Sequence, residues 1–169
     1  MIDLHPAGAR HAIIWLHGLG DSGAGLAPLV DALDLPEALP IRHLLPTAPE
    51  RPVTINQGFK LRAWYDIESF SDVTRRAIEP HVRDSSAKIA ALIEQLIAEG
   101  FAAERIVLAG FSQGGVIASF TALRLPQRLA GLLCLSTYLA APDKLMSEIS
   151  DAARAPPVCY MHGLYDDVV

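Results

Sequence analysis

Gly110-Phe-Ser-Gln-Gly114 follows a short apolar run over residues 105–109 and opens a stretch over 113–123 that reads as a helix. A serine in a GxSxG placed on a sharp strand-to-helix turn projects its hydroxyl above the sheet. The backbone there is strained, and only small flanking residues permit it. The helix N-terminus beside such a serine favours developing negative charge. A chance GxSxG arises in about one chain in twenty of this length, and requiring a strand before and a helix after makes it rarer. The simpler reading, a Gly-Ser turn without chemistry, is therefore the weaker one. Ser112 is the candidate nucleophile.

Outward from this turn, the chain alternates short apolar runs with helical patterns. Strands are expected over 12–16, 41–45, 105–109, 129–135 and 158–162, with weaker candidates at 53–55 and 62–66. Helices are expected over 26–33, with Pro28 in the first turn, and over 84–99, 113–123 and 143–149. The helix over 84–99 has the clearest stripe: Ile89, Leu92, Ile93, Leu96 and Ile97 recur on one face. Asp84, Ser85 and Ser86 offer N-caps, and Gly100 offers the stop. Such alternation predicts an α/β fold, a mostly parallel sheet with helices on both faces. Functional residues then belong beyond the carboxyl ends of the strands. No linker or repeat divides residues 1–169, which read as one domain.

Composition agrees. Of 169 residues, 51% are hydrophobic and 20% charged, with a net charge of −5, which suits a folded core and excludes a disordered chain. The acidic balance, without any Lys/Arg cluster, argues against nucleic acid as a partner. The longest uncharged stretch, residues 129–142, is 14 residues, short of the roughly 20 needed to span a bilayer. The start carries no secretory signal. Cys134 and Cys159 lie in apolar stretches without metal-ligand spacing, so both are expected as buried thiols, and the chain as cytoplasmic.

Gly18-Leu-Gly-Asp-Ser-Gly23 is a formal GxGxxG between a strand and a helix. A dinucleotide site would also need an acid at the tip of the next strand, and that strand ends in Leu44-Leu-Pro-Thr47. The loop has a better use beside Ser112. Acyl-transfer turns of this type hold the oxyanion with two backbone N–H groups. One follows the nucleophile, here Gln113, and one comes from an early strand-to-helix loop that often begins His-Gly, here Leu19 in His17-Gly-Leu-Gly20. Trp64 and Tyr65 are candidate borders of an acyl pocket, although an aromatic pair in a strand more often simply packs.

Six blocks follow one another in order: His17-Gly-Leu-Gly-Asp21, Pro46-Thr-Ala-Pro49, Pro52-Val-Thr-Ile-Asn56, Ala63-Trp-Tyr-Asp66, Gly110-Phe-Ser-Gln-Gly-Gly115 and His162-Gly-Leu-Tyr-Asp-Asp-Val-Val169. Together they resemble the carboxylesterase and acyl-protein thioesterase family of α/β-hydrolases, particularly its bacterial carboxylesterases, across essentially the whole chain. The resemblance implies hydrolysis of short to medium acyl esters or thioesters, with acylated proteins among the candidate substrates, by a Ser-His-Asp triad without metal or cofactor. It assigns Ser112 as nucleophile and Leu19 and Gln113 as oxyanion donors. Spacing alone leaves Asp166 and Asp167 open as the triad acid, and the resemblance selects Asp166.

In this fold the base follows the acid in the chain. After Asp166 come only Asp167, Val168 and Val169. The resemblance places the family's histidine, with a last helix and strand, beyond that point. The sequence as it stands is thus expected to lack the base, to lose nearly all turnover, and to leave its last strand as an exposed edge. A homodimer or a complementary C-terminal fragment is the expected partner of that edge. His17 and His162 lie near strand ends but are expected to serve as structural hydrogen-bonding groups. The competing reading is a non-catalytic hydrolase-like module that binds an acyl ligand or a partner protein.

Overall fold

A computed structural model describes residues 1–36, 38–68, 77–152 and 156–166. Six strands form one sheet: β1 (Ile2–Leu4), β2 (His11–Leu16), β3 (Ile41–Leu45), β6 (Ile106–Phe111), β7 (Gly131–Leu135) and β8 (Val158–Met161), in the spatial order β1-β3-β2-β6-β7-β8. β1 runs antiparallel to β3, and every other pair is parallel. A small antiparallel ribbon, β4 (Glu50–Pro52) with β5 (Lys60–Arg62), lies outside the sheet. The helices are α1 (Gly23–Ala32), α2 (Glu79–Ala98), α3 (Gln113–Ala122) and α4 (Pro142–Glu148).

The two-residue period of the strands sorts their side chains onto two cores. Ile14 and Leu16 of β2 join Leu108 of β6 and Ile89, Ile93 and Leu96 of α2 in the larger one. Trp15, Leu45 and Ala109 point the other way, against Leu26, Ala27 and Val30 of α1. Helices therefore cover both faces, as the sequence predicts. α3 is buried along its whole length, wedged between the sheet and α2.

Several local expectations are corrected. The helix predicted to begin near residue 84 begins at Glu79, with Pro80 in its first turn. Ser85 and Ser86 are consequently inside it and are not caps. Ser85 Oγ donates to the Trp64 carbonyl, and Ser86 Oγ accepts from Thr121 Oγ1 at 2.8 Å. Tertiary acceptors have outcompeted the local cap. α1 starts three residues earlier than predicted, capped by the Ser22 side chain, which places Pro28 in the second turn. The strand expected over 62–66 is not found; a three-residue strand lies just before it at Lys60–Arg62, and the one expected over 53–55 is replaced by a 3-10 turn, Thr54–Asn56. Cys134 is buried, but Cys159 is exposed, because β8 is exposed at every residue and nothing among the described residues covers it. No helix among them is long and apolar enough to cross a membrane.

Candidate active site

Register places the candidate groups along one rim. Phe111, Leu135 and Met161 are paired neighbours at the carboxyl ends of β6, β7 and β8. Ser112 therefore follows the centre of the sheet, and the segment bearing Asp166 follows the edge strand. Two strand spacings, roughly 10 Å of backbone, separate the ends of β6 and β8.

Ser112 has φ 49° and ψ −118°, a conformation costly for any residue with a Cβ. Hydrogen bonds to its backbone hold it there. Its N–H donates to the Leu135 carbonyl at 2.8 Å. Its own carbonyl accepts from Thr137 Oγ1 at 2.8 Å and from the Gly115 N–H at 2.9 Å. Its hydroxyl does not cap α3, and the residue is half-buried. The flanking glycines follow from close approach. A Cβ on Gly110 would overlap the backbone of Gly114 and Gly115, and one on Gly114 would overlap the Leu16 carbonyl oxygen.

The loop after β2 lies against this turn. A Cβ on Gly18 would sit 3.0 Å from Phe111 Cδ1 and 3.6 Å from Ser112 Cβ. The loop's bend uses Gly20 at φ 81°, whose N–H donates to the Arg62 carbonyl at 2.8 Å. Leu19 and Gln113, the two candidate oxyanion donors, are thus presented by neighbouring segments. Among the described residues neither backbone N–H has an acceptor. Gln113 N–H belongs to the first turn of α3, where no intrahelical partner exists.

His17 is fully buried, and both of its ring nitrogens are engaged. Nδ1 lies 2.6 Å from the Gly18 carbonyl oxygen, and Nε2 accepts the Ala48 N–H at 3.0 Å. Accepting at Nε2 fixes the neutral tautomer with the proton on Nδ1. Burial pushes its pKa below the ordinary value, only partly opposed by the Gly18 carbonyl. The expectation of a structural role is consistent with this geometry. His162 has Nε2 3.6 Å from Asp166 Oδ2 at the end of β8, and its ring stacks on Tyr160. Asp166 is largely covered, with its N–H donating to the Gly163 carbonyl at 3.1 Å. Asp167 lies outside the described residues.

Trp64 is only 3% exposed. The residue lines a cleft of about 310 Å³ together with Pro46, Pro49, Ile89 and Leu92. Its indole Nε1–H donates to the His17 carbonyl at 2.9 Å, and its backbone N–H donates to Gln113 Oε1 at 2.7 Å. Gln113 Nε2 in turn donates to the Tyr65 carbonyl at 2.8 Å. Tyr65 is buried, with its hydroxyl 2.8 Å from that of Tyr138, and burial raises its pKa well above the ordinary value. Sequence reading missed these side-chain roles of Gln113, Tyr65 and Tyr138. Among the described residues, no three His, Cys, Asp or Glu side chains converge as a metal site requires.

The arrangement pairs a strained serine with two unengaged backbone donors, one at the N-terminus of α3 and one in the loop after β2, an arrangement suited to stabilising a tetrahedral oxyanion. Comparison with known proteins points the same way. Residues 5–169 match the family model described as Phospholipase/Carboxylesterase. Acyl-protein thioesterase 1 of Schizosaccharomyces pombe is 36% identical over 167 residues, covering 98% of this chain and 73% of that protein. Carboxylesterase SOBER1 of Arabidopsis thaliana is 34% identical, covering 95% of this chain and 71% of that protein. The crystal structure of SOBER1 superposes with a TM-score of 0.89 over 95% of this chain and 77% of that one. Acyl-protein thioesterase 2 of Zea mays, 30% identical, superposes at 0.80 over 99% of this chain and 77% of that one. This chain belongs to the phospholipase/carboxylesterase family of hydrolases and has their α/β-hydrolase fold.

Proposed function

We propose that this chain is built to hydrolyse carboxylic esters or acyl thioesters, including acyl groups carried on proteins, through an acyl-enzyme on Ser112. The observation that carries the reading is the left-handed backbone of Ser112 between β6 and α3, with the Gly18 loop packed against it. In the complete reaction, Ser112 attacks the carbonyl, and a histidine oriented by Asp166 takes its proton. Leu19 and Gln113 N–H hold the oxyanion, and water then releases the acyl group. The thioesterase and carboxylesterase relatives support this substrate class. A cytoplasmic location fits the reading.

His17 is buried with both ring nitrogens engaged, so it is not the group that takes the Ser112 proton. That geometry favours, as a second reading, a module that binds an acyl ligand or a partner protein without turning it over. Labelling with an alkyl fluorophosphonate, followed by peptide mass analysis, separates the two. Modification at Ser112 that is lost in Ser112→Ala supports the hydrolase reading. Acyl-ligand binding without any modification supports the binding module. Turnover of a p-nitrophenyl ester that is lost in Ser112→Ala would exclude the binding module.

A further inference from the structure

Residues 64 and 65 connect segments that are far apart in sequence. The Trp64 indole reaches the His17 carbonyl, 47 residues away, in the loop that presents Leu19. The Trp64 backbone N–H reaches the Gln113 side chain, 49 residues away, on the residue that presents the other candidate donor. Gln113 closes the link by donating to Tyr65. His17 extends it, since its ring accepts the Ala48 N–H and lies 5.1 Å, centroid to centroid, from the Trp64 ring. Ser85 Oγ donates to the Trp64 carbonyl and ties the strut to α2. Every polar group of Trp64 is thus engaged in the protein interior, and each engagement fixes a distance between segments.

From these contacts we infer that Trp64, with the Gln113 side chain as its counterpart, is a positioning residue: a buried strut that sets the separation of the Leu19 and Gln113 N–H groups. It acts through the two segments that carry the donors. An oxyanion hole works because its donors are already aimed where charge develops, so a strut fixed before substrate arrives contributes directly to that preorganisation. The neutral His17 tautomer belongs to the same device, because a second ring proton would turn the acceptor for Ala48 into a donor. The inference rests on the proposed roles of Leu19, Gln113 and Ser112, and its test is chosen so that the two can fail separately.

The probe is an alkyl boronic acid. The Ser112 hydroxyl oxygen bonds to boron, its proton passes to solvent, and the anionic tetrahedral adduct occupies the oxyanion position. A neutral alkyl amide of the same chain length reports ground-state binding alone. In the unsubstituted chain, adduct formation should shift the amide resonances of Leu19 and Gln113, and through the strut those of the Trp64 indole N–H and the Gln113 side-chain amide. Trp64→Phe keeps most of the ring packing and deletes the donor to His17. It should weaken boronate affinity ten- to hundredfold while leaving amide affinity within about twofold. Equal losses for both probes, or no loss for either, overturn the strut. Should Trp64→Phe fail to fold, the unsubstituted chain decides alone: an adduct that leaves the Trp64 and Gln113 side-chain resonances unmoved also overturns it. Absence of any adduct on Ser112 overturns the proposed function, and this inference with it.

Discussion

The hydroxyl of Thr137 donates a 2.8 Å hydrogen bond to the carbonyl oxygen of Ser112, tying a strained backbone to the loop beyond β7. Thr137 is itself buried, and a Cβ on Gly115 would collide with it, so the contact is held from both sides. Thr137→Val should cost about 1 kcal/mol of stability in urea denaturation and slow fluorophosphonate labelling of Ser112. Thr137→Ser should restore most of both. Unchanged labelling in Thr137→Val would separate the bond from the shape of the turn.

Gly114 and Gly8 make a controlled comparison. A methyl on Gly114 would overlap the Leu16 backbone, whereas Gly8, at φ 77°, has open space around it. Gly114→Ala should destabilise by roughly 3 kcal/mol or more, because rigid backbone must move. Gly8→Ala should cost about 1 kcal/mol from its backbone conformation alone. Thermal unfolding of the two variants checks the ranking.

At Ser112 stability and chemistry are expected to oppose each other. Replacing it with glycine relieves a conformation that costs about 1–3 kcal/mol, partly offset by the greater freedom of glycine in the unfolded chain. Ser112→Gly should therefore gain about 1 kcal/mol while losing all labelling. A lower Tm in Ser112→Gly would show that the strain is not expressed.

His17 and His43 set an acid limit. Both are buried and both have pKa values lowered by desolvation. His43 Nδ1 accepts the Trp15 indole N–H at 3.0 Å. With the folded pKa below the unfolded value, the unfolded state binds more protons just below pH 6.5. The stability each contributes is full above that pH and declines as pH falls toward the folded pKa, with a slope of at most about 1.4 kcal/mol per unit for each. Urea midpoints measured from pH 7.5 to 5 should fall, and less steeply in His43→Gln. A flat profile would exclude the effect.

What was legible beforehand divides along physical lines. Strand period, the α2 stripe and the glycine-flanked serine are local signals, and each recurs in the structure within a few residues. β1 left no such trace. It is three residues long, and it is held by pairing to β3 and by Asp3 on Arg42, 39 residues away, with Glu99 on the same guanidinium. Ser85 and Ser86 show the opposite case, a valid cap signal overruled by Pro80 upstream and by acceptors from other elements.

The sequence by itself determined the layered α/β architecture and the conformation of the serine turn. Periodicity and the lack of a Cβ at residues 110, 114 and 115 act over a few bonds, wherever the rest of the chain lies. Only the tertiary structure decided which polar groups meet behind that turn. The bonds that join Ala48 to His17, Trp64 to His17 and Gln113, and Gln113 to Tyr65 span 31 to 49 residues, brought within reach by strand order and helix packing. Buried polar groups must find partners, and the sheet, through its strand order, determines which ones are near.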